Sequence, residues 1–128
     1  MRVILDSHAL IWYVDQDKFL SRTSHAAISD PANDLLLSAG SIWEIGIKIG
    51  LGKLRLNQPF KDWMNQAISD LNVTILPLSV DYVDAQSNLP KHHGDPFDRL
   101  IVAQAIVEQV PVVSADPNLD AYGITRIW

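Results

Sequence analysis

Residues 2–6 read Arg-Val-Ile-Leu-Asp, a short run of apolar and β-branched residues that ends at an acid. This pattern predicts a buried β-strand. The next segment, residues 7–14, is apolar at nearly every position and predicts a short buried helix. A strand that leads directly into a helix is typical of α/β folds, in which helices connect parallel strands.

The same alternation continues along the chain. Apolar runs predict further strands at residues 34–38, 73–76 and 112–114, with a short fifth strand at 124–128. Helices are predicted at 21–29, 41–49, 59–71 and 80–88, and a last, longest helix opens at 95–98 and extends to about 108. Because the strands are apolar throughout, we expect a sheet that is covered on both faces. The fold class is therefore α/β: one domain over residues 1–128, with a mainly parallel four- to five-stranded sheet flanked by helices on both faces.

Composition narrows the classes of function. The chain has 128 residues, which suits one domain, and no cysteine, which excludes disulfides, thiolate metal sites and cysteine nucleophiles. Asp6 interrupts the apolar start, and no apolar run approaches the ~18 residues of a membrane span, so we expect a cytoplasmic protein without signal peptide or membrane anchor. The formal net charge of −5 argues against non-specific coating of nucleic acid.

Four acids follow the predicted strands or open the helices after them. Asp6 ends the first strand, Glu44 lies in the first predicted turn of the helix 41–49, Asp98 lies in the first turn of the longest helix, and Asp116 follows the fourth strand. Sites in α/β sheets form beyond the carboxyl ends of the strands, so these acids can converge. Clustered carboxylates resist ionisation unless a hard cation such as Mg²⁺ joins them. The pattern predicts a metal site able to orient water towards a phosphodiester.

Each acid also has a structural interpretation. Glu44 could close a capping box with Ser41, and Asp95 could be the N-cap of the longest helix. Asp6 could cap the first helix, and Asp116 with its following proline could form a turn. Independent caps, however, have no reason to share one edge of the sheet.

Several stretches of the chain resemble a known family. They are Leu5-Asp6-Ser7-His8-Ala9-Leu10-Ile11-Trp12, Ser41-Ile42-Trp43-Glu44-Ile45, Gly94-Asp95-Pro96-Phe97-Asp98-Arg99-Leu100-Ile101-Val102-Ala103-Gln104-Ala105 and Ser114-Ala115-Asp116. In this order they resemble the PIN-domain ribonucleases, specifically the VapC-type toxins of bacterial type II toxin–antitoxin systems. The Asp-Pro-Phe-Asp-Arg block is the most specific part, and the resemblance covers essentially the whole chain.

The resemblance implies a site and a set of partners. It implies that Asp6, Glu44, Asp98 and Asp116 are catalytic and hold Mg²⁺ or Mn²⁺, with Asp6 and Asp98 as direct ligands. It further implies an endoribonuclease that leaves 5′-phosphate and 3′-hydroxyl ends, a homodimer, and a cognate antitoxin that blocks the cleft. One bound dication would bring the formal net charge of the chain from −5 to −3, so the protein with its cation bound need not repel RNA.

Neighbours of the acids are candidates for secondary roles. Asp95 is a fifth acid with either an N-cap or a metal role, and Ser7 and Ser114 could orient acids or water. Lys48 stands at ion-pair spacing from Glu44, which leaves a phosphate contact as its alternative.

Basic and aromatic residues complete the candidates. Arg99 could contact RNA or form a solvated salt bridge, and His93 could shuttle a proton or touch phosphate, although loop histidines are usually solvated. Scattered positive charges could form a phosphate path: Lys53, Arg55, Lys61 and Lys91. The tryptophans of the predicted helices are expected to pack rather than stack on bases: Trp12, Trp43 and Trp63.

Two alternatives compete with the nuclease. A receiver-like phosphorelay domain needs an Asp after the third strand and a later Lys, but the third strand runs into Leu76-Pro77-Leu78-Ser79 and no Lys follows the fourth. A catalytically silent PIN fold that only binds a partner is the other alternative, although all four acids are present.

Overall fold

A computed structural model describes all 128 residues. The strands are β1 (Arg2–Leu5), β2 (Asp34–Ser38), β3 (Thr74–Leu76), β4 (Val112–Val113) and β5 (Arg126–Ile127). The α-helices are α1 (Ser7–Val14), α2 (Arg22–Ser29), α3 (Ala39–Gly50), α4 (Phe60–Leu71), α5 (Val80–Ser87) and α6 (Pro96–Glu108). A 3-10 helix that the sequence did not predict, Pro117–Tyr122, connects β4 to β5. None of the helices combines the length and apolar character that crossing a membrane requires.

The five strands form one parallel sheet in the order β3-β2-β1-β4-β5. From β1 the chain first extends the sheet to one side through β2 and β3, and later to the other side through β4 and β5. The order of strands therefore reverses between β1 and β4, which is where α/β sheets open a crevice at their carboxyl edge. Asp6 and Asp116 lie just beyond these two strands.

The sheet is covered on both faces, as the apolar strands predict. On β1, Val3 and Leu5 pack with residues of α1 to α4, whereas Ile4 packs with residues of α5 and α6. Strands β2 and β4 alternate in the same way between the two faces. The expected α/β class, with a parallel sheet between two helical layers, is confirmed.

The start of α3 differs from the prediction, and the difference moves Glu44. Helix α3 begins at Ala39 directly after β2, and the Ser38 hydroxyl accepts the Gly40 amide hydrogen at 3.1 Å as its N-cap. The predicted capping box between Ser41 and Glu44 is therefore wrong, and Glu44 lies in the second turn. Its carboxylate is not used as a cap because Ser38 already serves this end of the helix.

Helices α3 and α6 approach each other closely near the site. A Cβ added to Gly40 would lie 2.7 Å from Leu100 Cδ2, so only glycine allows this separation without displacing a neighbour. The contact joins the first turn of α3 to the second turn of α6, and these helices carry Glu44 and Asp98.

Candidate active site

Asp6 is buried at the carboxyl end of β1. Its Oδ1 accepts the Ala9 amide hydrogen at 2.7 Å, so Asp6 does cap α1, and its residue is only 7% exposed. Burial raises the pKa of this carboxyl, and the negative charge of Glu44 adds to the rise. Hydrogen bonds from the Ser114 hydroxyl and the Ala9 amide oppose it. The cap function thus accompanies a place in the acidic cluster rather than replacing it.

Glu44 is held on both of its oxygens. The Ser7 hydroxyl donates to Oε1 at 2.6 Å, and Lys48 Nζ lies 3.0 Å from Oε2. The ion pair expected from the four-residue spacing is therefore present. Because the Glu44 side chain is nearly buried, these two contacts fix the direction in which its carboxylate faces.

Asp98 lies in the first turn of α6, next to the helix N-cap. Asp95 Oδ1 accepts the amide hydrogens of Phe97 at 2.8 Å and of Asp98 at 3.1 Å, which is the N-cap arrangement expected for Asp95. Burial raises the pKa of Asp98 to about 7, and the charges of Asp95, Glu44 and Asp6 add to the effect while His93 opposes it. The acids of β1, α3 and α6 therefore share one electrostatic environment.

His93 joins Asp98 to Asp116. Its Nε2 lies 3.0 Å from Asp116 Oδ2 and 3.3 Å from Asp98 Oδ2, while Nδ1 accepts the Asp95 amide hydrogen at 3.0 Å. A neutral ring that accepts at Nδ1 carries its proton on Nε2, so the histidine donates to Asp116, and Asp98 lies close to the same nitrogen. The expectation of a solvated loop histidine is wrong, since this side chain is 17% exposed.

Asp116, rather than the nearby Asp120, belongs to the cluster. The Asp116 amide donates to Ser114 Oγ at 3.1 Å, and its Oδ1 caps the 3-10 helix by accepting from Asn118 at 3.0 Å. Asp120 pairs instead with Arg126 at 2.8 Å, and this hydrogen-bonded contact lowers the pKa of Asp120. The expected turn at Asp116 is present, and the second carboxylate oxygen of Asp116, Oδ2, faces His93.

The donor set suits a hard divalent cation. The nearest ligand atoms of His93, Asp98 and Asp116 all lie within 4.8 Å of one another. Carboxylate oxygens are the ligands that Mg²⁺ and Mn²⁺ prefer. Burial, with a smaller contribution from neighbouring acids, raises the pKa of Asp6 and of Asp98, and a bound dication would favour their ionised forms. Because His93 presents an N–H to the cluster, the acids of the cluster are the candidate cation ligands. The histidine is their hydrogen-bond donor.

Arg99 does not form the salt bridge that was one of its two predicted roles. Its guanidinium donates to the carbonyl oxygens of Pro90 at 2.9 Å and Gln86 at 3.1 Å, and to the Tyr122 hydroxyl at 3.2 Å. It forms no carboxylate salt bridge, and its donors are used inside the chain. Because α6 turns this side chain towards the end of α5, Arg99 fixes the loop that carries His93.

Trp43 is the tryptophan whose expected packing role is wrong. It is 63% exposed, whereas Trp63 is 2% exposed. The indole contacts Phe97 edge-to-face, with ring centroids 5.6 Å apart. Helix α3 is apolar around most of its circumference, so the sequence alone did not show which face the sheet covers.

A prominent groove lies away from the acids. It has a volume of about 590 Å³ and is lined by residues of α1, α2 and α4, among them Trp12, His25 and Trp63. None of the predicted site residues lines it. The chemistry of the candidate site therefore rests on the carboxylate cluster at the sheet edge.

Comparison with known proteins agrees with this architecture. The PIN domain family matches residues 3–124. The chain is 31% identical to Ribonuclease VapC22 of Mycobacterium tuberculosis over 131 aligned residues, which cover 98% of each protein.

Solved structures show the same fold at low sequence identity. They include VapBC2 of Rickettsia felis bound to a promoter DNA fragment (TM-score 0.73, 13% identity, 98% of this chain and 97% of that chain). VapBC-1 of nontypeable Haemophilus influenzae gives a TM-score of 0.65 at 14% identity, covering 98% and 96%. FitAcB of Neisseria gonorrhoeae gives 0.58 at 16% identity, covering 97% and 95%. The family match excludes the receiver-like alternative, and the chain belongs to the PIN-domain family, within it to the VapC type.

Proposed function

We propose that this chain is a divalent-cation-dependent endoribonuclease that acts as the toxin of a toxin–antitoxin pair. The observation that carries the proposal is the convergence of Asp6, Glu44, Asp98 and Asp116, with the pKa of Asp98 raised to about 7 by burial and by its acidic neighbours. A relative named as a ribonuclease, similar over 98% of both chains, supports RNA as the substrate.

In this proposal the acids hold the cation and their neighbours hold the acids. Asp6 and Asp98 would be direct ligands of Mg²⁺ or Mn²⁺, and Glu44 and Asp116 would complete the pocket directly or through water. The chemistry that such a cation would supply is polarisation of the scissile phosphate and a lower pKa of the attacking water. Neither step needs a nucleophilic side chain, which fits a cluster made of carboxylates.

The surrounding hydrogen bonds give the pocket its shape. Ser7 and Lys48 orient Glu44, and His93 holds Asp98 and Asp116 on one side of the pocket. Such outer contacts align ligands before the cation binds and so reduce the reorganisation that the reaction requires. Asp95 has the role of an N-cap and acts on the site through its charge.

The partners follow from the same proposal. The structural neighbours from Rickettsia felis and Haemophilus influenzae are VapBC assemblies, which supports a cognate antitoxin that covers the acidic cleft. Three apolar residues at helical spacing are exposed, two on α3 and one at its C-cap, and they support a homodimer: Trp43, Ile47 and Leu51. The proposal places the pair in the cytoplasm, where its RNA substrate is found.

The test is cleavage of RNA by antitoxin-free protein. The purified chain is incubated with a panel of structured and single-stranded RNAs in Mg²⁺ or Mn²⁺, and then with a chelator in excess. We expect cleavage of at least one RNA that stops in chelator and returns when Mg²⁺ is restored. If no RNA in the panel is cut with either cation, the catalytically silent PIN scaffold is the better account.

A further inference from the structure

A tight turn brings a second lysine to the edge of the acidic site. After α3, the Gly52 amide donates to the Ile49 carbonyl at 3.0 Å, and the Lys53 amide donates to the Lys48 carbonyl at 2.9 Å. This pair of bonds is the Schellman arrangement, in which the residue after the cap adopts positive φ, and Gly52 does so at +70°. The turn returns the chain so that Lys53 lies beside the last turn of α3.

The two lysines share a small cavity with the site. The cavity has a volume of about 150 Å³, and Ser7, His8, Glu44, Lys48 and Lys53 are among its lining residues. Glu44 of the acidic site and Lys53 of the turn therefore line the same space. At ~30 Å³ per water, the space corresponds to about five waters, which is room for a tetrahedral phosphate group with part of its hydration.

Only one of the two lysines that line this cavity forms an ion pair. Lys48 pairs with Glu44 at 3.0 Å, whereas Lys53 forms no ion pair anywhere in the chain. The positive charge of Lys53 is thus free at a place where the neighbouring cluster is strongly acidic. An arrangement of this kind attracts an anion that lies against the site without entering the carboxylate pocket.

We propose that Lys53, together with Lys48, forms a subsite for a non-scissile phosphate of the RNA backbone. The inference rests on the proposed function, because it assigns one flank of the same site to the substrate. A phosphate bound here would position the RNA strand so that an adjacent phosphate lies at the carboxylates. The contact carries no sequence information and acts as a positioning contact.

The experiment measures binding without cleavage. Fluorescence anisotropy with a short labelled single-stranded RNA compares Lys53→Met, Lys53→Arg and the matched control Lys18→Met, all in an Asp98→Asn background at several salt concentrations. Lys18 is also an exposed lysine without an ion pair, and it does not line the cavity. One lost contact to a single-stranded phosphate should lower the salt slope by about 0.7 and the affinity about fivefold near ~0.1 M salt.

The outcomes separate this subsite from the proposed function. We expect Lys53→Met to lose affinity and salt slope, Lys53→Arg to keep most of both, and Lys18→Met to match the background variant. Equal binding by Lys53→Met and Lys18→Met would overturn the subsite, even if the wild-type chain cuts RNA in Mg²⁺. Conversely, Lys53-dependent binding by a chain that cuts no RNA would retain the subsite and reject the nuclease.

Discussion

The Ser7 hydroxyl donates a hydrogen bond to Glu44 Oε1 across 2.6 Å, and this contact ties the start of α1 to the second turn of α3. Ser7 directly follows Asp6, so one short segment supplies an acid of the cluster and the group that orients another acid. With Lys48 on the other oxygen, Glu44 has no freedom to turn towards the helix start. The carboxylate that could have closed a capping box is thereby committed to the site.

Removal of this hydrogen bond should affect catalysis more than folding. In Ser7→Ala, Glu44 loses a partner that orients it, and changes of this kind at metal sites cost about ten- to a hundredfold in affinity or activity. The loss of stability should stay near ~1 kcal/mol. Ser69→Ala, on the exposed face of α4, is the control. Cleavage rates and urea unfolding of both variants provide the measurement, and an unchanged rate in Ser7→Ala would contradict the assigned role.

The raised pKa of Asp98 predicts how stability without cation depends on pH. The ordinary value is 3.8 and the folded value is about 7, so between these limits the folded state binds more protons than the unfolded state. Stability from this group is therefore present at low pH and is lost as the pH rises through about 7. In chelator at a pH of about 8, Asp98→Asn should be more stable than the wild type by at least ~1 kcal/mol.

Thermal unfolding of both proteins in chelator across this pH range checks that sign. The difference in melting temperature should be small near a pH of about 4 and should grow as the pH rises, because only the wild type has the charge to bury. A variant that is less stable than the wild type across the whole pH range would show that the ionised Asp98 carboxylate does not destabilise the folded protein.

The approach of α3 to α6 predicts opposite effects at two glycines. A Cβ at Gly40 would lie 2.7 Å from Leu100 Cδ2, so Gly40→Ala should cost about 1–3 kcal/mol by overpacking. At Gly46 the nearest atoms are those of the Phe60 ring at 3.7 Å, an ordinary contact, so Gly46→Ala should be neutral or stabilise by up to ~1 kcal/mol. Chemical denaturation measures both, and equal effects would refute the close approach.

Asp116 and Asp120 form a natural pair for testing the site boundary. Asp116 contacts His93 at 3.0 Å, whereas Asp120 is engaged by Arg126. Asp116→Asn should reduce cleavage strongly because the cluster loses a charge, and Asp120→Asn should leave the rate nearly unchanged. Initial rates at saturating Mg²⁺ decide the matter, and a reversed order of the two variants would move the site to Asp120.

Much of the fold could be predicted because its signals are local. The apolar strand β1 with the acid that follows it, and the helix α3 that ends at glycine, each lie in a single stretch of sequence. Elements β1, α1 and β2 have the predicted bounds. The start of α3 was misplaced because Ser38 both ends a strand and caps a helix, so no linker marks the boundary.

The remaining differences between prediction and structure depend on where individual side chains point in the folded protein. His93, Arg99 and Trp43 face partners that loop geometry and helix rotation select, and neither is encoded in the spacing of residues along the chain. The proximity of the acids, by contrast, could be predicted because every parallel strand of a sheet ends at the same edge.

The central claim is that one cluster of carboxylates cuts RNA through a bound cation. Its most direct test is the rate at which antitoxin-free Asp98→Asn protein cleaves an RNA that the wild type cleaves in Mg²⁺, after circular dichroism has shown that both are folded. The account predicts that cleavage by the variant falls to the level of the wild type in chelator. Full cleavage by a clean preparation of Asp98→Asn would contradict it.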